Sequence, residues 1–341
     1  MPAEPILSPG AKLRTVVDPM VPGILATLAV AFAAARLGTA YPIVGAPIFA
    51  ILLGIVVQSC FGLHPALKPG VAFTSKRILQ GSIVLMGAGL SMGEVWRTGA
   101  ESLTVMLTTL SVGLLTAVLL GRLMGVDWRL TSLIGAGTAI CGASAIAAVS
   151  PVVEAEEDQV AYSISSVFFF NVVAVFLFPV AGHLLQMQDH AFGLWAGTAI
   201  NDTSSVVAAG YSWSQAAGNY ATIVKLARTT MIVPVTMVFY LWSTRQALRS
   251  SAKVSWVALV PWFVVGFLAM VGLRSLGLLP PLVAANLTAL GKFGIAMALA
   301  AVGLGSNLGR IRKTGFRPIL LGMAVWVAVA VTSLIVQGLI G

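Results

Sequence analysis

The sequence predicts an all-α polytopic membrane protein with about eleven transmembrane segments, inverted repeats, and two broken or re-entrant helices that meet near the bilayer midplane. Of its 341 residues, 58% are hydrophobic and 9% are charged, whereas soluble domains carry roughly 25% charged residues. Apolar runs of about 20 residues, the length that crosses a bilayer core, recur along the chain. Two related passages, each opening with AGTAI, interrupt these runs with small and polar residues. The composition excludes a water-soluble globule.

The apolar segments determine the predicted topology. Residues 1–19 are expected to form a short cytoplasmic tail, and residues 20–341 a single transmembrane transporter domain. The predicted membrane segments, in chain order, are 20–36, 43–60, 76–93, 102–122, 130–153, 158–181, 192–211, 219–243, 255–274, 284–305 and 317–340. An apolar segment such as 20–36 would face either the lipid bilayer or a second protomer of a homodimer.

Basic residues accumulate in the loops on one side of this topology. When the tail is placed in the cytoplasm, the outer loops contain only Arg36, Arg97 and Arg274. The inner loops contain Lys68, Lys76, Arg77, Arg122, Arg129, Arg245, Arg249, Lys253, Arg310, Arg312, Lys313 and Arg317. Because cytoplasmic loops carry such an excess of Lys and Arg, we predict a cytoplasmic N-terminus. The net charge of +9 then reflects membrane orientation and does not indicate nucleic-acid binding.

Residues 87–99 and 303–315 form a first internal repeat. Aligned without gaps, GAGLSMGEVWRTG and GLGSNLGRIRKTG share five identical residues, four of them glycine. The copies lie seven segments apart, at the ends of the third and the tenth. They would therefore run through the membrane in opposite directions, and the related pair would extend over 76–122 and 284–341. Inverted repeats with glycine-interrupted helices are typical of secondary transporters, although glycine-rich membrane helices also match by chance.

A second repeat relates AGTAICGASAIAA (136–148) to AGTAINDTSSVVA (196–208). The related pair extends over 130–181 and 192–243. If both segments cross the membrane once, the copies are parallel. If both are re-entrant hairpins, they enter from opposite faces and form an inverted pair. Charge counting does not distinguish the two, because replacing two crossings by two hairpins leaves every other loop on the same side.

Both copies predict a helix break in the middle of the membrane, because Cys-Gly-Ala-Ser and Asn-Asp-Thr-Ser-Ser favour caps and turns over helix interiors. Broken backbone at this depth is tolerated where it is buried in protein or lines a cavity. It supplies helix N-termini with free N–H groups and a positive dipole end, and hence a substrate site. The candidate binding residues are Cys141, Gly142, Ser144, Thr203, Ser204 and Ser205. Close helix packing through small residues is the alternative, but it does not explain Asn201 and Asp202.

Charged residues in the apolar segments indicate which kinds of ligand the predicted site would bind. Lys225 and Arg228 lie on one helix face at i, i+3, and if that helix begins near Asn219, Arg228 is ~13 Å deep at 1.5 Å per residue. A charge there is costly unless it is paired or hydrated, and it usually marks function. We expect the two cations to bind an anion, and Asn201 with Asp202 to bind a coupling proton or sodium ion. A structural ion pair between Asp202 and one of the cations is the alternative.

Other candidate sites are weaker. Asn171, in the run VFFFNVVAVFLFP, could support either a broken backbone group or a ligand. Cys60 and Cys141 form no metal-ligand spacing, and the acidic run at 154–158 is typical of a solvated loop. The chain contains no HExxH, Walker A, GxSxG or CxxC pattern. The sequence therefore predicts no enzyme activity, no metal site and no cofactor.

Three of these stretches resemble the YeiH-type sulfate exporter family of bacteria. They are GTAICGASAIAAVSPVV (137–153), GLWAGTAINDTSSVVAAG (193–210) and KLARTTMIVP (225–234). The resemblance extends from about residue 20 to the C-terminus, and it implies a multi-pass inner-membrane protein related to cation/proton antiporters and anion transporters. Carried over, residues 140–144 would form the first break and residues 201–205 the second, with Lys225 and Arg228 beside them.

Two functional hypotheses follow. The leading one is a secondary active transporter for a small anion, sulfate or a related sulfur oxyanion being the suggestion of the family, with Asp202 carrying the coupling proton or sodium ion. The rival is a sodium/proton antiporter that uses Asn201 and Asp202 for its cation. An antiporter needs no anion, whereas an anion exporter shows saturable dependence on one.

Overall fold

The computed structural model describes residues 19–41, 45–245, 261–306 and 316–340. Nearly all of the predicted tail, residues 255–260 of one predicted segment, and the second copy of the first repeat beyond Ser306 lie outside these residues. So do five basic residues of the predicted inner loops, namely Arg249, Lys253, Arg310, Arg312 and Lys313.

All regular structure in the described part of the chain is helical. The helices are α1 Val21–Ala40, α2 Gly45–Phe61, α3 68–89, α4 Met92–Leu123, α5 Trp128–Ala139, α6 Ala143–Val149, α7 Glu157–Leu184, α8 Asp189–Ala199, α9 Thr203–Trp213, α10 Gln215–Thr230, α11 Ile232–Arg245, α12 Trp262–Ser275, α13 Pro281–Gly305 and α14 Phe316–Ile340. Within α3, residues 74–78 form a π-helical turn, and 87–89 a closing 3₁₀ turn.

Helix length and composition confirm a polytopic membrane protein. Six spans in the described residues are long and apolar enough to cross a membrane. They are Val21–Ala40, Met92–Leu123, Glu157–Leu184, Gln215–Trp242, Pro281–Gly305 and Phe316–Ile340. The helices Gly45–Phe61 and Trp262–Ser275 are shorter and also apolar.

Local capping corrects some predicted boundaries. The segment predicted at 76–93 ends as a helix at Gly89, because Leu90 and Ser91 are extended. Ser91 and Glu94 then form a capping box, in which each side chain bonds the other residue's free N–H. The next helix therefore begins at Met92, ten residues before the predicted start at 102.

Helices α8 and α9 form a hairpin, named hairpin 2 (189–213). The Trp213 Nε1–H donates to Asp189 Oδ1 at 2.9 Å, and the Trp213 ring stacks on Phe192 at 4.2 Å. The start and finish of the hairpin therefore lie together, and its tip is the break at 200–202. Ser214 is the one residue between α9 and α10. Helix α10 then runs beside α8 in the same direction, and Gly197 of α8 lies against Val224 of α10.

Helices α5 and α6 form a second fold-back, hairpin 1 (128–149), whose tip is the break at 140–142. Gly137, before the break, packs against Ile146, after it. At the open end, Gln159 Nε2 donates to Asp127 Oδ1 at 3.0 Å, so α7 begins beside the start of α5. Both broken segments therefore fold back on themselves in this structure.

The two hairpins open toward opposite ends of the molecule. Helix α7 starts at the open end of hairpin 1 and finishes at that of hairpin 2, where the His183 and Trp213 rings lie 4.2 Å apart. Helices α10 and α11 lead back, and the Trp242 ring meets Trp128 at 5.5 Å. We call these the hairpin-1 end and the hairpin-2 end.

The described helices pack as two bundles. A five-helix bundle contains α1, α2, α3, α12 and α13, and a hairpin bundle contains α4 to α11 with α14. In the five-helix bundle, Gly54 and Gly303 let α2 and α13 approach so closely that a Cβ on Gly54 would lie 2.6 Å from the Ala300 carbonyl oxygen. Helix α9 links the bundles, because Val207 shares a buried apolar cluster with Ile51 and Leu299.

Candidate functional site

The tips of the two hairpins meet at the basic face of α10. The Lys225 ammonium is fully buried and donates to the carbonyl oxygens of Ile140 at 2.8 Å and Ile200 at 2.9 Å. These carbonyls belong to the residues that follow α5 and α8. Lys225 thus bridges one break to the other.

Arg228 makes a parallel set of bonds one turn further along α10. Its fully buried guanidinium donates through Nε to Ala139 O at 2.8 Å, through Nη2 to Thr138 O at 3.3 Å, and through Nη1 to Thr198 O. The last carbonyls of a helix lack partners within the helix and carry the negative end of its dipole. The two cations therefore satisfy and neutralise the C-terminal ends of α5 and α8.

The position of Arg228 in its helix also differs from expectation. Helix α10 begins at Gln215, not near Asn219, because Ser214 caps it by accepting from the Ala217 N–H at 3.0 Å. Arg228 accordingly lies about 20 Å from the start of the helix at 1.5 Å per residue.

Asp202 is a helix cap and makes no salt bridge with any residue that the structure describes. Its Oδ2 accepts from the Ser204 N–H at 2.9 Å and from the Ser204 hydroxyl, so the carboxylate holds the N-terminus of α9. Among the described residues no salt bridge joins it to Lys225 or Arg228. The expected alternative of a structural ion pair is therefore wrong for this structure.

Asn171, in the middle of α7, is hydrogen-bonded to the tip of hairpin 2. Its Oδ1 accepts from the N–H groups of Asn201 at 3.2 Å and Asp202 at 3.1 Å. The sequence allowed Asn171 to bond either a broken backbone group or a ligand. In this structure it bonds the backbone of the break.

Asn201 is buried without hydrogen bonds from its side chain. The residue has no exposed surface, and neither Oδ1 nor Nδ2 has a partner among the described residues. A buried polar atom without a partner costs about 1–3 kcal/mol, and such an atom in a native fold calls for an explanation such as a bound ion or water. The adjoining Asp202 and Thr203 are partly exposed.

The tip of hairpin 1 faces that of hairpin 2 directly. A Cβ added to Gly142 would lie 3.7 Å from the Asp202 Cβ, and Gly142 itself has a φ of 69°, which favours glycine. Cys141 is buried and Ser144 is exposed. On hairpin 2, Ser204 and Ser205 are buried. The predicted site residues of the two hairpins thus lie at the breaks or within a few residues of them, and only Ser144, Asp202 and Thr203 of these have appreciable exposed surface.

The charges at the junction do not cancel. Counted with their formal charges, Lys225 and Arg228 contribute two positive charges and Asp202 one negative charge. The C-terminal dipole ends of α5 and α8 offset the N-terminal ends of α6 and α9, each about half a unit. About one positive charge remains, and neutralising Asp202 with a proton or a cation would raise it to about two.

The structure therefore defines a class: a polytopic membrane protein whose two opposed hairpins meet at a buried, charged junction. The chain belongs to the family described as conserved hypothetical protein 698, whose model matches residues 22–322, and this is the YeiH-type family that the motifs resemble.

Curated relatives carry a consistent name. The UPF0324 membrane protein of Clostridium tetani is 43% identical over 314 residues, covering 88% of this chain and 91% of the relative. A UPF0324 membrane protein of Streptococcus agalactiae is 40% identical over 335 residues, covering 94% and 98%. One from Streptococcus pneumoniae is 40% identical over 326 residues, covering 94% and 97%. No solved structure matches the chain.

Proposed function

We propose that the protein is an ion-coupled secondary active transporter for a small anion, with the coupling cation held at Asn201 and Asp202. The observation that carries this proposal is the junction itself: an unpartnered amide and a partly exposed carboxylate at the meeting point of two opposed hairpins. Broken helices from two halves of a fold form the central site of many secondary transporters.

The topology supports the same proposal. Seen as an inverted pair, hairpin 1 with α7 corresponds to hairpin 2 with α10 and α11, and α3 with α4 corresponds to α13 with α14. These are the pairs 130–181 with 192–243 and 76–122 with 284–341 that the sequence repeats relate. Nine crossings and two re-entrant hairpins then replace the eleven crossings. The positive-inside rule assigns the hairpin-1 end to the cytoplasm of a bacterial inner membrane.

The anion contacts differ from the first expectation. Lys225 and Arg228 contribute charge, but their donors are engaged with carbonyls, so the anion would contact accessible groups near Ser144 and Thr203 instead. A cation on Asp202 raises the local positive charge and with it the affinity for the anion. By linkage the anion raises the affinity for the cation by the same factor.

The sodium/proton antiporter remains the second candidate, and one observation favours it. The unpartnered Asn201 amide and the Asp202 carboxylate supply oxygen ligands of the kind that hard cations prefer, with no anion needed.

Proteoliposomes separate the two candidates. Purified protein is reconstituted, and uptake of radiolabelled sulfate is measured with imposed sodium or pH gradients. An anion transporter gives saturable, gradient-dependent uptake. Sodium-dependent proton flux that is unchanged by sulfate, thiosulfate or sulfite would instead establish the antiporter.

A further inference from the structure

A cavity of about 490 Å³ lies at the hairpin-1 end between the five-helix bundle and α7. Its walls come from α2, α3, α7 and α13, and the polar residues among them are Gln58, Lys68 and Ser75. Among the described residues that line it, Lys68 is the one charged side chain and none is Asp or Glu. Such a lining favours an anionic occupant.

The cavity reaches about the same depth in the molecule as the tip of hairpin 2. Helices α2 and α9 are antiparallel, since Gly45 lies against Ser212 whereas Ile51 shares a cluster with Val207. At 1.5 Å per residue, Gln58 lies about 10 Å beyond Ile51 toward the hairpin-1 end. The tip residue Thr203 lies about 6 Å beyond Val207 in the same direction. Gln58 is therefore only about 4 Å past the tip along the axis.

Helix α7 gives the same position independently. Phe168 lines the cavity, and it is three residues, one turn of the same helix face, from Asn171. Asn171 in turn bonds the backbone of Asn201 and Asp202. Both helix registers therefore place the inner part of the cavity at about the level of the hairpin-2 tip.

One wall of the cavity has irregular backbone. Ser75 lies in the π-helical turn 74–78 of α3, and such turns are rare and frequent at functional sites. Lys68, at the start of α3, is exposed at the mouth.

We propose that this cavity is the vestibule through which the transported anion reaches the junction from the hairpin-1 end, with Lys68 attracting the anion at its mouth. The inference rests on the proposed function. It adds the route that the anion takes and the residue, Lys68, that selects for its charge. A cleft lined by one sign of charge concentrates ions of the opposite sign and raises their association rate by roughly 10-fold or more.

The test compares Lys68→Glu with Lys76→Glu. Both lysines are exposed in α3, but only Lys68 lines the cavity. In sulfate uptake by proteoliposomes, Lys68→Glu is expected to raise the half-saturating concentration about 10-fold at low ionic strength, with the difference shrinking in high salt. Lys76→Glu should stay within about 2-fold of wild type.

A second readout does not depend on transport rates. In a Cys60→Ala background, with the buried Cys141 left in place, Ser75→Cys should react with a negatively charged methanethiosulfonate, and sulfate should slow the reaction. Reaction of Lys76→Cys should be insensitive to sulfate.

The outcomes distinguish failure of the proposed transport function from failure of the proposed vestibule. Wild-type protein without gradient-dependent anion uptake would overturn the proposed function. Wild-type uptake together with equal behaviour of the Lys68 and Lys76 variants, and no sulfate protection at Ser75→Cys, would overturn the vestibule alone.

Discussion

At the residue scale, the centre of the molecule is organised by side chains that bond to backbone rather than to each other. Lys225 and Arg228 bond five carbonyl oxygens at two helix C-termini, and Asn171 accepts from two N–H groups of the second tip. In a bilayer core no water is available to replace these bonds. The breaks therefore persist because three side chains satisfy them.

Removing one of these side chains should destabilise the fold. Arg228→Met keeps the length of the side chain but leaves the carbonyls of Thr138, Ala139 and Thr198 without that donor. Each buried polar group left unpaired costs about 1–3 kcal/mol, so we expect a loss of about 3 kcal/mol or more. This loss of stability is measured by thermal unfolding in detergent, with size-exclusion chromatography used to monitor the folded protein. The exposed Arg122→Met is the control, and an Arg228→Met protein as stable as that control would contradict the role.

Replacing Asn201, in contrast to replacing Arg228, should not destabilise the fold. Because its amide has no partner within the described part of the chain, Asn201→Leu replaces an unpaired polar group by an apolar one of similar shape, which is close to neutral or stabilising. Its midpoint of unfolding in sodium-free buffer should equal or exceed that of wild type, while gradient-driven uptake is lost.

Asn171→Leu is the matched comparison, since it removes the acceptor for two backbone N–H groups and should lower the midpoint. Equal destabilisation by the two Leu variants would show that the Asn201 amide is satisfied in the folded protein and is no ion ligand.

The sequence predicted which residues meet at this junction but not how they contact one another. AGTAI followed by turn-forming residues identified both breaks, and the rare charges identified Lys225 and Arg228. The carbonyl partners were not predictable, because every residue has a carbonyl and only the path of the hairpins decides which ones face α10. The vestibule residues Gln58 and Lys68 were missed for the same reason, since their role depends on which helices face each other.

At the element scale, the decisive feature is that each broken segment returns to the end from which it came. The helical segments themselves were predictable from apolar length. Whether each broken segment forms a hairpin or a crossing was not predictable, because both arrangements leave the charges of the loops unchanged. The fold resolves this through contacts distant in sequence, such as Asp127 with Gln159 and Asp189 with Trp213.

Cysteine labelling tests the hairpins directly. In the Cys60→Ala background, Leu123→Cys and Glu157→Cys flank hairpin 1, and Gln188→Cys and Gln215→Cys flank hairpin 2; all four positions are exposed. A membrane-impermeant maleimide applied from one side should label either the first pair or the second pair, but never one member of each. Labelling of Leu123→Cys and Glu157→Cys from opposite sides would establish a crossing instead.

At the scale of the whole molecule, the hairpin bundle carries the junction and the five-helix bundle supplies the far wall of the vestibule. Helix α9 is the half-helix that packs against both, and Asp202 caps its N-terminus. A cation that binds at Asp202 therefore acts on the element that joins the two bundles. In the proposed mechanism, this arrangement would give the coupling ion a mechanical route to the rest of the fold as well as an electrostatic one.

The central claim is that Asp202 couples a cation to anion movement. The most direct measurement compares wild type with Asp202→Asn in proteoliposomes, using gradient-driven accumulation of radiolabelled sulfate and exchange of sulfate across the membrane without a gradient. Asparagine keeps an oxygen that caps Ser204 but no charge to neutralise. We predict that exchange persists while accumulation driven by sodium or pH gradients is lost. Full gradient-driven accumulation by Asp202→Asn would contradict the account.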